Sequence, residues 1–178
     1  MTGAAPTIRG DRVTLRPFRP DELDLWYESS QAFGIEGFPA GPPTREALRH
    51  RIGRSAELSA PAELDLAIDV DARVIGAIQT QLPHALPPRV FQVGIGLFSS
   101  EDRGKGYGSE AMELFLDWLF GELGAERVQA GTMPTNTAMR RVFARLGFRE
   151  EESILVFGQR HLLYAIERGE WERRREGA

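Results

Sequence analysis

The sequence predicts a mixed α/β (α+β) domain spanning residues 1–178, with helices flanking a mostly antiparallel sheet. Three observations carry this reading. The stretch "ELDLAIDV" sets Leu64, Leu66, Ile68 and Val70 on one face and Glu63, Asp65 and Asp69 on the other, the period-two pattern of a strand. A turn at Asp71-Ala72 then returns the chain as a second strand, an antiparallel hairpin. Finally, the glycine-rich "RGKGYG" (103–108) runs straight into Ala111, Leu114, Phe115, Trp118 and Leu119 at helical spacing, which reads as a parallel crossover.

The remaining elements follow in order. "RVTLRPF" (12–18) alternates Val13 and Leu15 with polar residues and stops at Pro17, a first strand. Pro20-Asp21 signals a helix start, and Leu23, Trp26 and Tyr27 follow at helical spacing. "GIEGFPAGPPT" (34–44) is rich in Gly and Pro and reads as a loop. A second helix starts after Thr44 and contains Leu48 and Ile52. The hairpin's second strand runs from Val74 to Leu82, "PHALPP" is a loop, and "RVFQVGIGLF" (89–98) is a further strand. Its Gly94 and Gly96 suggest a bulge or a close approach to the backbone. After the crossover helix, "RVQAGTM" is a strand. "TNTAMRRVFARLG" is a helix with Met139, Val142, Phe143 and Leu146 inward, closed by Gly147. Phe148 begins a strand, and "ILVFGQRHLLYAIER" is a hairpin turning near Gly158. The tail "ERGEWERRREGA" reads as a frayed, solvated end. The order is β-α-α-β-β-β-α-β-α-β-β.

Composition narrows the function. A chain of 178 residues can bury roughly 70% of its unfolded surface, enough for a core without staples. The net charge of −4 gives no general attraction to nucleic acid or an anionic membrane, so any anion site must be local. The absence of cysteine excludes disulfides and thiolate chemistry, and three scattered histidines give no metal-site signature. The N-terminus lacks a signal-peptide core, and no run approaches the ~20 apolar residues of a membrane span. A cytoplasmic protein is expected.

Glycines alternating at 104, 106 and 108 let successive amides point into one concavity. The helix behind them adds unpaired N–H groups and roughly half a positive charge. Phosphate and diphosphate groups bind well in such a setting, and Arg103 and Lys105 add charge. A small phosphorylated ligand is implied. Lys105 is followed by glycine, which disfavours a P-loop, and the glycine spacing fails the dinucleotide fingerprint.

These residues carry a family resemblance. "RGKGYG" resembles the Arg/Gln-x-x-Gly-x-Gly/Ala motif of the GCN5-related N-acetyltransferases (GNAT family), with Arg103, Gly106 and Gly108 at its defining positions. "NTAMRRVFARLGF" resembles that family's second signature through Asn136, Gly147 and Phe148, and "VGIGLF" resembles its fourth strand. The pattern is most similar to the branch that acetylates ribosomal proteins and antibiotics. The resemblance implies acetyl-CoA as donor and no metal. Its diphosphate is expected on the segment Gly104, Lys105, Gly106, Tyr107, Gly108 and Ser109, beside Arg103. Its pantetheine arm is expected along Val93, Ile95 and Leu97, where the central strands splay. Asn136 is expected on the pantetheine side and Arg141 at the phosphates.

Amide formation needs a neutral amine. A lysine-like amine has a pKa of ~10.4 and an α-amine ~7.7–8.0, so a base or a water chain must take a proton. Family members often carry an acid just before the "VGIG" segment; here Gln92 stands there, suited to orienting water or acceptor. Where related chains have a small residue and then a tyrosine on the later helix, this one has Met139 and Phe143, both read as core. Glu36, in the Gly/Pro loop, is the candidate base. His84 is a loop histidine that could serve as one, and Glu63 and Asp65 could draw a cationic acceptor. The expected activity is transfer to a primary amine, either a small molecule or a peptide, with a homodimer through the last strands possible. A non-catalytic acyl-CoA-binding sensor and a transferase of a larger acyl group such as succinyl remain alternatives.

Overall fold

A computed structural model describes residues 5–37, 41–56, 63–81, 86–156 and 158–177. Eight strands form one sheet: β1 (Ile8–Arg9), β2 (Thr14–Pro17), β3 (Asp65–Val70), β4 (Arg73–Gln81), β5 (Val90–Leu97), β6 (Arg127–Thr132), β7 (Arg149–Val156) and β8 (Gln159–Glu167). The helices are α1 (Leu23–Gly37), α2 (Arg45–Ala56), α3 (Tyr107–Gly121), α4 (Thr137–Leu146) and α5 (Arg168–Glu176). The strand order is β1-β2-β3-β4-β5-β6-β8-β7. The β5–β6 pair is parallel and every other pair antiparallel.

The two faces of the sheet hold separate cores. On one, Leu66, Ile78, Val93, Val128 and Tyr164 pack against Met112, Phe115 and Leu116 of α3 and Phe143 of α4. On the other, Ala67, Val74 and Ala77 pack against Trp26 of α1 and Leu48 and Ile52 of α2, with Phe18 stacked 4.1 Å from Trp26. Both faces of β3 are therefore covered. Its alternation does not leave a solvated side: Asp65 is 2% exposed and Asp69 8%. Each of these carboxylates meets an arginine, as a buried charge must. The Nε of Arg51 in α2 donates to Asp65 at 3.0 Å, and Arg16 in β2 donates to both Asp69 and Glu22 at 2.7 Å. Burial pushes the Asp65 carboxyl up, and Arg51 offsets part of that.

The hairpin turn is as expected, with Asp71 at φ 51° and Ala72 at φ 61°, the left-handed pair that matches strand twist. Four expectations need correction. Helix α1 runs on through Gly37, so the backbone of Glu36 lies in its last turn and not in a loop. Gly94 and Gly96 make no bulge against β4, since pairing is continuous from Gln81–Gln92 to Gly76–Leu97; the register shift falls between Ile68 and Asp69 instead. The tail is ordered as α5. Its Trp171 is 2% exposed beside Phe120, and the indole N–H donates to Asp117 at 2.9 Å. A short first strand, β1, was also not foreseen; at two residues it is too brief for periodicity to register. Leu82 and His84 lie outside the described residues.

Candidate active site

Parallel pairing between β5 and β6 starts at Val90–Arg127 and ends at Val93–Ala130. Beyond that point Gly94 to Leu97 keep β4 on one side, while among the described residues no strand pairs with them on the other. On the far side Gly131 and Thr132 pair only with β8. The sheet thus forks at its centre, as expected, but because pairing ends and not because β5 bulges. Val93, 3% exposed, anchors the fork in the α3-side core, with Ile95 and Leu97 partly buried along the open limb.

The glycine turn closes the top of the fork. Ser99 caps a short 3-10 turn (Ser100–Asp102) by accepting from Glu101 N–H. Asp102, 2% exposed, receives both terminal nitrogens of Arg73, at 2.9 and 2.7 Å, which ties the turn to β4. Those hydrogen bonds hold the Asp102 carboxyl below its usual range. Gly104 (φ 74°) and Gly106 (φ 88°) then take the left-handed conformation that glycine alone adopts freely. Backbone bonding stops where Arg103 N–H donates to Ser100 and resumes where Glu110 N–H donates to Gly106. Among the described residues, the amides from Gly104 to Ser109 find no acceptor between those points. The first turn of α3 accordingly presents unspent donors with its positive dipole end.

Two side chains missed by sequence reasoning fix this turn. Glu110 accepts from the amides of Arg12 (2.7 Å) and Val13 (3.0 Å) and from Arg12 Nε (3.0 Å). Arg12 also donates to Lys105 O at 2.9 Å and lies 5.2 Å from the Tyr107 ring centroid. Burial pushes the Glu110 carboxyl up, but the two amides and the guanidinium together hold it below its ordinary value. An acid in the first turn of α3 is thereby occupied and does not compete for an anion. The apolar-residue pattern carries no sign of this contact, which joins residues 98 apart in sequence.

Other expected positions fall as follows. Gly108 packs near the open limb of β5: a Cβ there would stand 4.0 Å from Ile95 and Leu97. Ser109 is buried. The side chains of Arg103, Lys105 and Arg141 are exposed and make no hydrogen bond or ion pair among the described residues. Arg140, by contrast, turns to the sheet and donates to Tyr164 OH (3.1 Å), which donates to Glu150 (2.6 Å). Asn136 caps α4, its Oδ1 accepting from Met139 N–H at 3.1 Å. Met139 packs against the core and Phe143 is buried in it, as expected. Gln92 lies between Gln81 and Gln129 in register, on the face opposite Val93 and therefore on the α1 side. Glu63 and Asp65, considered for drawing a cationic acceptor, are held by Arg54 and Arg51 of α2. Among the described residues no cluster of three potential metal ligands occurs, and no helix is long and apolar enough to cross a membrane.

Comparison with known proteins agrees with this arrangement. Residues 12–149 match the family model described as the acetyltransferase (GNAT) domain. A probable N-acetyltransferase, YjcK of Bacillus subtilis, is 41% identical over 83 residues, 46% of this chain and 44% of that protein, so the match spans under half of the relative. Mycobacterium smegmatis RimJ, solved in complex with CoA-disulfide, is 27% identical with a TM-score of 0.69, covering 93% of this chain and 86% of that one. Aminoglycoside acetyltransferase AAC(6')-Ib, solved with ribostamycin and coenzyme A, shares the fold at 20% identity and a TM-score of 0.78, covering 94% of this chain and 100% of that one. With a forked sheet, a left-handed glycine turn and a family model matched across both, the chain belongs to the GNAT acetyltransferase family.

Proposed function

We propose that the chain moves an acetyl group from acetyl-CoA to a primary amine, the two substrates meeting in the fork from opposite faces of the sheet. The observation that carries this is the run of unspent amides from Gly104 to Ser109 at the mouth of the open β5 limb. The diphosphate would rest on those amides, with Arg103 and Lys105 beside it. The pantetheine arm would lie along Val93 to Leu97, taking main-chain groups that β6 leaves unpaired. The Oδ1 of Asn136 is used as a cap, which leaves its amide nitrogen for the same arm. Arg141, exposed on α4, would reach the phosphates. When bound, acetyl-CoA supplies the activated carbonyl.

The chain's own part is to hold the two reactants and shed a proton. Gln92 faces the α1 side next to the fork and would orient the incoming amine or a water beside it. Glu36, in the last turn of α1, is the candidate proton acceptor. A peptide or small-molecule amine both suit this reading. With acetyl-CoA as donor the expected compartment is the cytoplasm. A homodimer through β7 belongs to the same proposal, since β7 is an edge strand with Leu155 77% exposed. Sedimentation would read this out.

Isotope-labelled acetyl-CoA with a panel of kanamycin, a lysine peptide and a peptide with a free α-amine tests the reaction by mass spectrometry. A labelled acetyl mass on one amine class, with thiol release, is expected. Tight CoA binding with no transfer to any amine would favour the sensor reading, which Gln92 in place of an acid motivates. Preference for succinyl-CoA in a donor competition would favour a larger acyl group.

A further inference from the structure

Apart from one nitrogen of Arg54, two side-chain polar atoms among the described residues are buried with no hydrogen-bond partner: Gln159 Oε1 and His161 Nε2. They stand two residues apart on β8 and so share a face. That face is the α1 side, because the alternating residues Leu162, Tyr164 and Ile166 enter the α3-side core. His161 also sits at the fork. Its Nδ1 is 4.0 Å from where a Cβ on Gly131 would stand, and Gly131 is the first β6 residue past the last parallel pair. Gln92, on the same face of β5, is one residue short of the split. Two polar side chains therefore flank the fork on the side away from the glycine turn.

A buried polar atom without a partner costs about 1–3 kcal/mol, and folded proteins keep few of them. Two within one turn of a strand ask for a common explanation. Gln159 Oε1 can only accept, and His161 Nε2 accepts when the ring proton is on Nδ1. Paired acceptors without donors suit a ligand that brings N–H groups. Bulk water does not touch Nε2, although the residue as a whole is partly open. An N–H donor can meet Nε2 only if the ring turns or its cover shifts, and on the fork side Gly131 has no side chain to resist that.

We propose that His161, backed by Gln159, binds the amine of the acceptor, holding its N–H groups on the α1 side of the fork. This rests on the transferase reading and assigns that reading an acceptor-binding residue. It involves no covalent step at the imidazole. Acceptor recognition on this side then comes from neutral acceptors on β8; Glu63 and Asp65, at and before the start of β3, lie across three intervening strands and are already paired with arginines of α2.

The test uses whichever amine of the panel turns over fastest, with steady-state kinetics for that amine and calorimetry for acetyl-CoA. His161→Leu should lower kcat/KM for the amine at least tenfold while the acetyl-CoA Kd stays within twofold. His161→Gln, which puts an amide oxygen near the lost nitrogen, should recover to within threefold of the starting protein. A merely structural histidine would not give that split or that rescue. An unchanged amine kcat/KM in His161→Leu, a fall matched by lost acetyl-CoA affinity, or failed rescue by Gln overturns the proposal. If His161→Leu does not fold, Gln159→Leu carries the same test: a fall of threefold or more with donor affinity kept supports the assignment, and a smaller one overturns it. A starting protein that binds no acetyl-CoA overturns the transferase reading itself, whereas turnover that survives these variants overturns only the role of His161.

Discussion

Gly106→Ala puts the glycine turn to its sharpest test. At φ 88° an L-residue is strained by roughly 1–2 kcal/mol. The new Cβ would also stand 3.1 Å from a terminal nitrogen of Arg12. That nitrogen ends a half-exposed side chain and can retreat, but retreat strains the Arg12–Lys105 hydrogen bond, about 0.5–1.5 kcal/mol. The two effects sum to about 1.5–3.5 kcal/mol, which for a chain of this length lowers the melting temperature by about 3–14 °C. The chain can instead relieve the strain by leaving the left-handed region, but the amides from Gly104 to Tyr107 then lose their common direction. Thermal melting and acetyl-CoA calorimetry read the two responses together. Expected is a melting loss in that range, a tenfold or larger loss of donor affinity, or both. Gly104→Ala is the control: its φ is 74°, but nothing lies within 4 Å of its Cβ, so only the conformational cost applies. A Gly106→Ala protein that melts within 1 °C of its parent and binds donor equally well would refute the reasoning.

Three further outcomes are expected. Glu110 has a depressed folded pKa, so its contribution to stability is full above the ordinary carboxylate value of ~4.3 and is lost as pH falls through the folded value. Urea midpoints of Glu110→Gln and its parent should therefore differ most at neutral pH and converge as pH falls below the ordinary carboxylate range; a gap that ignores pH would contradict the assignment. Trp171→Ala removes a buried indole and its bond to Asp117, a loss of about 3–5 kcal/mol, or about 6–20 °C in a melting scan. No measurable shift would mean that α5 does not support the core. Gln92→Ala should lower turnover more than acetyl-CoA affinity, and equal loss in both would move Gln92 to the donor side.

The fold was largely legible because its signals were local. Period-two runs marked β2 and β3, helical spacing with a glycine stop marked α4, and Asp71-Ala72 marked the hairpin that returns as β4. The glycine turn was legible for the same reason, since turn, preceding strand and following helix are contiguous. What stayed hidden depends on distant partners. Arg12 and Glu110 look like surface charges until the fold joins them. Asp65 and Asp69 mimic a solvated strand face because their arginines come from other elements. The tail reads as polar, with a low share of apolar residues, and only the pocket between α3 and α5 shows why Trp171 is there. Nothing in the order of residues sets His161 apart, because its orphaned nitrogen is defined by what does not approach it.

Ending the parallel ladder at Val93 and Ala130 gives this sheet an interior border as well as its outer ones. An outer border invites any passing strand, which is how sheets aggregate. The interior one lies beside helix α3, whose Gly108 packs near Ile95 and Leu97 of the open limb. Under the proposed reading, a guest there would carry its own amide groups to meet the main chain that β6 leaves unpaired. Gly94 and Gly96 bring no side chain to that border, and Ile95 and Leu97 turn theirs to the α3-side core, so whatever pairs there would meet main chain first.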